Sequence, residues 1–433
     1  MNYNGKKIVI IGLGITGLSC IDFFLSYKTD IYVIEIKSTL KNKNILKNIK
    51  YHFGSIKRKW IMNADLIVIN PGISLKIPGL KEAIKKGIKI VSDIEIFSYE
   101  VNKPIISITG SNGKSTVATL VYYILKKNGW NVAIGGNIGI PVLSLLKKKY
   151  DLYILELSSF QLETTFSLKS NISTILNITE DHLDRYPKGF SEYCSKKLKI
   201  YDNALTCIIN EQDKNTWPLL KEKKDCISFG INSGNYQLNT TKKTLESNGK
   251  KLIDINQIHL TGEHNYLNIL AAIAITKKIG IPYKNILNNI IKYTPLPYRM
   301  ECIHKYKGIK WINDSKSTNL GSTIAALKAT KTKKNIHLIM GGILKSKNIE
   351  ILYNYIKYSN IKLYCFGKDG HLLLKLKKNS ILKNTIQELI QHISPLLKKG
   401  DIVLFSPGCS SFDQFNNFEH RGKTFTKLVK KND

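Results

Sequence analysis

The sequence predicts an α/β protein of three domains: an N-terminal Rossmann-like domain, a central domain with a P-loop ATPase-like parallel sheet, and a second Rossmann-like domain at the C-terminus. Three observations predict it. Short apolar runs alternate with helical periodicity along the 433 residues. Two of the connecting turns carry nucleotide-binding spacings, Gly12-Leu-Gly-Ile-Thr-Gly17 and Thr109-Gly-Ser-Asn-Gly-Lys-Ser-Thr116. Polar residues collect just after the apolar runs, where open parallel sheets bind their ligands. The expected divisions are 1–92, 93–296 and 297–433, in keeping with a length prior of about three domains.

In the first domain, residues 7–11 read as a strand, the glycine turn follows, and an apolar helix runs to Leu25. A second strand, 31–34, ends at Glu35, about where an acidic residue would meet a ribose. GxGxxG alone leaves the ligand open, because NAD or any nucleotide diphosphate could sit on that helix. Residues 65–69 form a further buried strand ending in Asn70-Pro-Gly-Ile73, which is either a ligand-binding turn or a plain structural one. A short strand over 88–91 closes the domain.

The central domain opens on the feature that organises the chain. Residues 105–108 are a buried strand, 109–114 a polar loop, and Val117, Leu120, Val121, Ile124 and Leu125 mark a helix. Strand, glycine loop and helix N-terminus aim backbone N–H groups and the helix dipole at one point, which suits a phosphate. Gly110 and Gly113 allow close approach, Lys114 supplies charge, and Ser115 or Thr116 offers Mg²⁺ a hydroxyl. The spacing is shorter than GxxxxGK[ST], so ordinary NTPases fit poorly. Asn137 lies within a second glycine-rich loop, Gly135-Gly-Asn-Ile-Gly139, which allows it a close approach. Glu156 ends the strand 152–157 and could bind Mg²⁺ or form a salt bridge; His182, beyond the strand 174–178, could bind a metal or a substrate. Most lysines of the helical stretch 193–201 are expected in solvent. His264, Asn265 and Asn268 share one helix end suited to a purine or ribose.

Residues 295–301 read as an interdomain linker. Four strands follow in the third domain, over 309–312, 336–340, 363–366 and 401–405, each ending in polar or glycine residues.

The formal charge of +34, from 66 Lys plus Arg against 32 Asp plus Glu, would alone suggest nucleic acid or an anionic surface. The excess is nearly all lysine, spread along the chain with abundant Asn and Ile. A bias toward AT-rich codons explains that better than a patch, and runs such as Lys147 to Lys149 read as solvated faces. No groove-reading module is recognisable. Seven scattered cysteines, without CxxC spacing, fit free thiols in a reducing cytoplasm. The apolar run 8–25 is broken by Gly12, Gly14, Gly17 and Asp22 and lacks a cleavage site, so it is not read as a signal peptide. The expectation is a cytoplasmic monomer with no nucleic acid or membrane partner.

Six strings together resemble the Mur ligase family of peptidoglycan synthesis: Thr109 to Thr116, Glu156-Leu-Ser-Ser-Phe-Gln-Leu162, Asn177-Ile-Thr-Glu-Asp-His182, Gly262-Glu-His-Asn-Tyr-Leu-Asn268, Asn313-Asp-Ser-Lys-Ser-Thr-Asn319 and Ser406-Pro-Gly-Cys-Ser-Ser-Phe-Asp413. The resemblance implies that the first domain holds a UDP-linked substrate, the second ATP and the third an amino acid. It implies that D-glutamate is joined to UDP-N-acetylmuramoyl-L-alanine through an acyl phosphate. By the same resemblance Lys114, His182 and Lys197 are catalytic. Gly110, Ser111, Asn112, Gly113, Lys114, Ser115, Thr116, Asn268, Arg299 and Asp314 bind ATP. Ser115, Glu156, His182 and Lys197 hold Mg²⁺, two ions in all, with Lys197 N-carbamylated. Gly14, Thr16, Glu35, Lys37, Asn70 and Gly72 hold the UDP part, and Asn137 and His182 face the muramoyl group. Lys316, Thr318, Lys345, Ser411 and Phe418 surround D-glutamate. The rival readings are an NAD(P) oxidoreductase, a ligase like folylpolyglutamate synthase, and a nucleic-acid-binding protein.

Overall fold

The computed structural model describes residues 1–36, 49–219, 225–330, 332–346 and 348–431. Among them the strands form three sheets, of five, nine and six strands. The first contains β1 (Lys7–Ile11), β2 (Asp30–Glu35), β3 (Lys50–Phe53), β4 (Leu66–Ile69) and β5 (Ile90–Val91), in the order β3-β2-β1-β4-β5. Every pairing is parallel. Its central strands are continuous Ile, Val and Leu runs, the pattern of a sheet buried on both faces. The strand order reverses between β1 and β4, which leaves a crevice at their carboxyl ends.

The second sheet contains β6 (Ile105–Thr109), β7 (Val132–Gly136), β8 (Leu152–Glu156), β9 (Ile172–Ile175), β10 (Thr206–Asn210), β11 (Asp225–Ile231), β12 (Tyr236–Asn239), β13 (Thr244–Ser247) and β14 (Lys250–Asp254). Its order is β14-β13-β12-β11-β10-β9-β6-β8-β7. The expected parallel sheet extends from β7 to β12. Beyond it the expectation needs correction, because β12 and β13 pair antiparallel. Only residues 240–243 separate them, with Lys243 at φ +53°, and the chain reverses there into a hairpin. The strand expected over 174–178 is also shorter: Leu176 to Ile178 leave the ladder after β9.

The third sheet contains β15 (Glu301–Tyr306), β16 (Ile309–Asn313), β17 (Ile336–Gly341), β18 (Ile361–Phe366), β19 (Ile381–Leu382) and β20 (Ile402–Phe405), ordered β15-β16-β20-β17-β18-β19. The four expected strands form its parallel centre. An edge hairpin adds β15, turning through Lys307 and Gly308, both at positive φ. Alternate residues feed two cores: Leu338, Met340, Leu363, Cys365 and Leu404 enter one, and Ile339, Tyr364, Phe366, Val403 and Phe405 the other. The expected linker ends in this sheet, with Glu301 opening β15. Tyr298 N–H donates to Glu301 Oε2 and Met300 N–H to Asp314 Oδ1.

The chain divides into two compact units. Met1–Ile178, Ser191–Leu252 and Ile269–Ile290 make the first, with the first sheet and nearly all of the second. Thr179–Phe190, Ile253–Asn268 and Ile291–Asp433 make the other, with the third sheet. Among the described residues no helix is long and apolar enough to cross a membrane, and the seven cysteines are free thiols.

Candidate active site: a phosphate loop, a buried carboxylate and a lysine cluster

In the first sheet, Gly14, Glu35, Asn70 and Gly72 stand at or just past the carboxyl ends of β1, β2 and β4, with Thr16 in the helix Ile15–Phe24. Lys37 lies outside the described residues. Close approach explains two glycines. A Cβ on Gly12, at φ +98°, would meet Asn70 Cβ at 2.7 Å, and one on Gly17 would lie 1.9 Å from the Gly12 carbonyl oxygen. Glu35 turns toward the loop, its Oε2 accepting the Leu13 N–H at 2.7 Å. Asn70 caps its own turn through Gly72 N–H, which is the structural-turn alternative.

The phosphate loop leaves β6 as expected and opens the helix Lys114–Lys127, with Gly113 as N-cap at φ +84°. Lys114 Nζ donates to the carbonyls of Gly110 at 2.6 Å and Ser111 at 2.9 Å. Lys197 Nζ reaches the same Gly110 carbonyl at 3.0 Å and sits 4.9 Å from the Tyr193 ring centre. Two ammonium groups therefore converge on one oxygen. Lys197 is 2% exposed, and Lys196 and Lys199 are half-buried. The expectation that this helix bathes its lysines in solvent is thus wrong. The helix Phe190–Leu198 packs on the loop through Tyr193, whose hydroxyl meets Ser111 Oγ at 3.0 Å. Burial lowers the Lys199 pKa, and its ammonium lies over the Phe166 ring. Lys147 to Lys149, by contrast, are exposed as expected.

Glu156 ends β8, in register with Ile108 of β6, and is 1% exposed. Its Oε1 accepts the Asn137 side-chain amide at 2.7 Å, and its Oε2 has no hydrogen-bond partner. A buried carboxylate oxygen left open fits the oxygen-ligand chemistry of Mg²⁺, as does the buried Ser115 hydroxyl. Among the described residues no three His, Cys, Asp or Glu side chains gather into a metal cluster, so an ion would need oxygens of other kinds as well.

The second unit collects another set. Lys345 Nζ lies 3.3 Å from Asp181 Oδ1, 3.4 Å from His182 Nε2 and 3.5 Å from Thr318 Oγ1. His182 holds a left-handed backbone, φ +55°. Ile343 exchanges both backbone hydrogen bonds with Ser410, next to the buried Ser411, and the Leu344 N–H donates to Asp369 Oδ2 at 2.8 Å. The backbone that leads into Lys345 is therefore held on both sides, at Ile343 by Ser410 and at Leu344 by Asp369. Lys316 lies over the Phe418 ring at 3.8 Å. Asp314 accepts from Met300 N–H and Ser406 Oγ, and burial raises its pKa to about 7. Asn268 is buried at the head of the helix Glu263–Lys278, and burial pushes the nearby His264 down to about 4. Arg421 is fully buried, donating to the Cys409 and Ser315 carbonyls and to Ser315 Oγ; burial lowers its pKa to about 10.

Sequence reasoning gave no role to Asp181, Tyr193, Asn177 or Asp369. Asp181 had a usable signal, as the acid beside His182; the others act on partners distant in the chain.

Three α/β sheets, one opening into a phosphate loop beside a buried acid, define a multidomain protein with a nucleotide-type loop. Residues 6–92 match the Mur ligase MurD-like N-terminal domain, 108–276 the Mur ligase middle domain, and 298–409 the Mur ligase glutamate ligase domain. The UDP-N-acetylmuramoylalanine--D-glutamate ligase of Buchnera aphidicola subsp. Schizaphis graminum is 52% identical over 435 residues, covering 99% of each chain. Its namesake in Escherichia coli K12 is 46% identical over 433 residues with the same coverage. The pseudomurein peptide ligase type C from Methanothermus fervidus shares the fold, with a TM-score of 0.64 at 20% identity over 99% of this chain and 100% of that one. The chain belongs to the Mur ligase family.

Proposed function

We propose that the chain is an ATP-dependent ligase that adds D-glutamate to UDP-N-acetylmuramoyl-L-alanine in peptidoglycan precursor synthesis, working in the cytoplasm as a monomer. One observation carries the reading: proteins named for that activity align with this chain nearly end to end at 46% and 52% identity. We assign the UDP-linked substrate to 1–92, ATP to 93–296 and the amino acid to 297–433.

The substrate carboxylate attacks the γ-phosphorus of ATP, the bond to the β–γ bridging oxygen breaks, and ADP leaves. The D-glutamate amine then attacks the acyl carbon, an amide forms, and phosphate departs while the nitrogen gives up a proton. Both partners of the first step are anions, so charge control dominates. From the first unit, Gly110 to Thr116 would cradle the triphosphate, with Lys114 leaving the loop carbonyls for it. Gly14, Thr16, Glu35, Lys37, Asn70 and Gly72 would hold the UDP part and Asn137 the muramoyl group. From the second unit, Asn268, Arg299 and Asp314 would contact ATP, His182 the muramoyl group, and Lys316, Thr318, Lys345, Ser411 and Phe418 D-glutamate. Ser115, Glu156, His182 and Lys197 would hold two Mg²⁺ ions, which neutralise the phosphates. In this reading Lys197 is carbamylated: the neutral amine adds to CO₂, loses a proton and becomes an anion. Its burial and the carbonyl it shares with Lys114 support that, because the change replaces like charges by opposite ones.

The test is phosphate release from ATP with UDP-N-acetylmuramoyl-L-alanine, comparing D-glutamate, L-glutamate, L-lysine and diaminopimelate. Only D-glutamate should drive turnover, and Lys114→Ala should lower it by about 10²-fold or more. Turnover with another amino acid in its place would overturn the substrate assignment.

A further inference from the structure

Asn177 makes a two-way contact with the phosphate loop. Its Oδ1 accepts the Asn112 N–H at 2.9 Å and its Nδ2 donates to the Asn112 carbonyl at 3.1 Å. Its own carbonyl accepts the Ser111 N–H at 2.8 Å. We infer that Asn177 is a positioning residue that sets the loop's shape before nucleotide arrives and determines which loop amides remain for the phosphates. The inference deepens the reading of this loop as the ATP site and rests on it.

Asn177 can act this way because it is itself held on both sides. Leu176 N–H donates to the Thr109 carbonyl, Asn210 Nδ2 donates to the Leu176 carbonyl at 2.8 Å, and Ile178 N–H donates to Asp213 Oδ2 at 2.7 Å. Gly110, at φ +152°, allows the close approach: a Cβ there would meet the Asn177 carbonyl oxygen at 3.3 Å and Leu176 Cβ at 3.2 Å. A carboxamide offers a donor and an acceptor side by side, so it can close on both ends of one residue; an aspartate would offer acceptors only.

The consequence concerns the short loop. The amides of Ser111 and Asn112 point at Asn177 and are committed. The N–H groups of Gly113, at the N-cap, and of Ser115 and Thr116, in the first turn of the helix, are the ones that can turn to an anion. Here the phosphate rests on the helix end rather than inside a full wrap of the loop.

Amide hydrogen exchange on the nucleotide-free full-length protein, resolved residue by residue by electron-transfer fragmentation, tests this directly. The Ser111 and Asn112 amides should exchange slowly and be unchanged by Mg-ATP, whereas those of Gly113, Ser115 and Thr116 should slow only when Mg-ATP is added. Fast exchange at 111–112 that slows with nucleotide would overturn the inference. In Asn177→Ala the KM for ATP should rise about tenfold, the scale of one or two lost hydrogen bonds, with the KM for D-glutamate unchanged and the melting temperature within a few degrees. An unchanged ATP KM in that folded variant also counts against it. If the variant does not fold, the wild-type exchange pattern decides. Should the protein not bind ATP at all, the ATP reading fails, while the exchange measured without nucleotide still reports on the clamp.

Discussion

Asn137 anchors one oxygen of the Glu156 carboxylate and leaves the other buried without a hydrogen-bond partner. Such an arrangement costs stability unless a cation completes it. Glu156→Gln should therefore separate the two effects. Turnover should fall by about 10²-fold or more, the scale for losing a preorganised charge, while the melting temperature should stay level or rise because a buried charge is gone. Turnover against Mg²⁺ concentration, with a thermal melt, checks both; wild-type turnover would remove Glu156 from the metal site.

The proposed carbamylation of Lys197 makes a chemical prediction. Lys197→Ala should lose most activity and regain part of it when acetate is added, because a small carboxylate can take the place of the carbamate. The control is Lys199→Ala, a half-buried neighbour that donates to the Glu163 carbonyl, which acetate should not rescue. Absence of any rescue in Lys197→Ala would count against the modification.

Asp369 fixes the backbone that carries Lys345. Its Oδ2 accepts from Leu344 N–H, and its own N–H donates to the Gly342 carbonyl. Removing the carboxylate leaves a part-buried amide without its acceptor, a cost of about 1–2 kcal/mol. Asp369→Ala should raise the KM for D-glutamate several-fold and leave the KM for ATP alone. Steady-state kinetics with each substrate varied in turn distinguishes this from a general loss of folded enzyme, which would lower kcat without that selectivity.

Asp93 should be visible in the pH dependence of stability. Its Oδ1 is buried without a partner, burial raises its pKa to about 7, and the thiol of Cys20 beside it stays neutral. The folded protein then holds this proton at pH values where the unfolded chain, titrating near 3.9, has released it. Stability falls as pH rises from about 4 to about 7 and is flat above. Asp93→Asn should be more stable than wild type at pH 8, with the gap closing toward pH 4. His264, pushed down to about 4, acts in the opposite sense over the same range, so the difference between the two proteins in denaturant titrations is the quantity to read. A gap that does not change with pH would refute the assignment.

Gly17→Ala should damage the first glycine loop, because the added carbon would stand 1.9 Å from the Gly12 carbonyl oxygen. The expected cost is about 3 kcal/mol or more, seen as a lower melting temperature. Gly14→Ala meets only Asn70 Nδ2, at 3.1 Å, with φ −69°. It should fold normally and weaken binding of the UDP-linked substrate, measured by calorimetry.

Much of this was legible in the sequence because it is local. Continuous apolar runs announced β1, β4, β6 and β17, and glycines at turns announced the loops between strand and helix. What escaped depends on residues far apart in the chain. Lys50–Phe53 pairs at an edge and has no apolar run to signal it. Thr244–Ser247 became a strand through its hairpin with Tyr236–Asn239. Residue type alone does not tell Lys197 from Lys196 and Lys199; the resemblance singles it out, and its burial comes from the packing of its helix on the phosphate loop. Asn177 and Asn112 are 65 residues apart, so nothing local could pair them.

Arg421 carries a lesson about composition. Only four of the 66 basic residues are arginine. Where charge on the surface is all that is required, lysine serves as well, and a coding bias can exchange one for the other freely. Inside the third domain a flat fork of donors reaches three oxygens on two loops at once, a pattern a single ammonium on a flexible stem cannot reproduce. In a chain whose basic residues are nearly all lysine, the third domain thus keeps one guanidinium where the geometry of its partners admits no substitute.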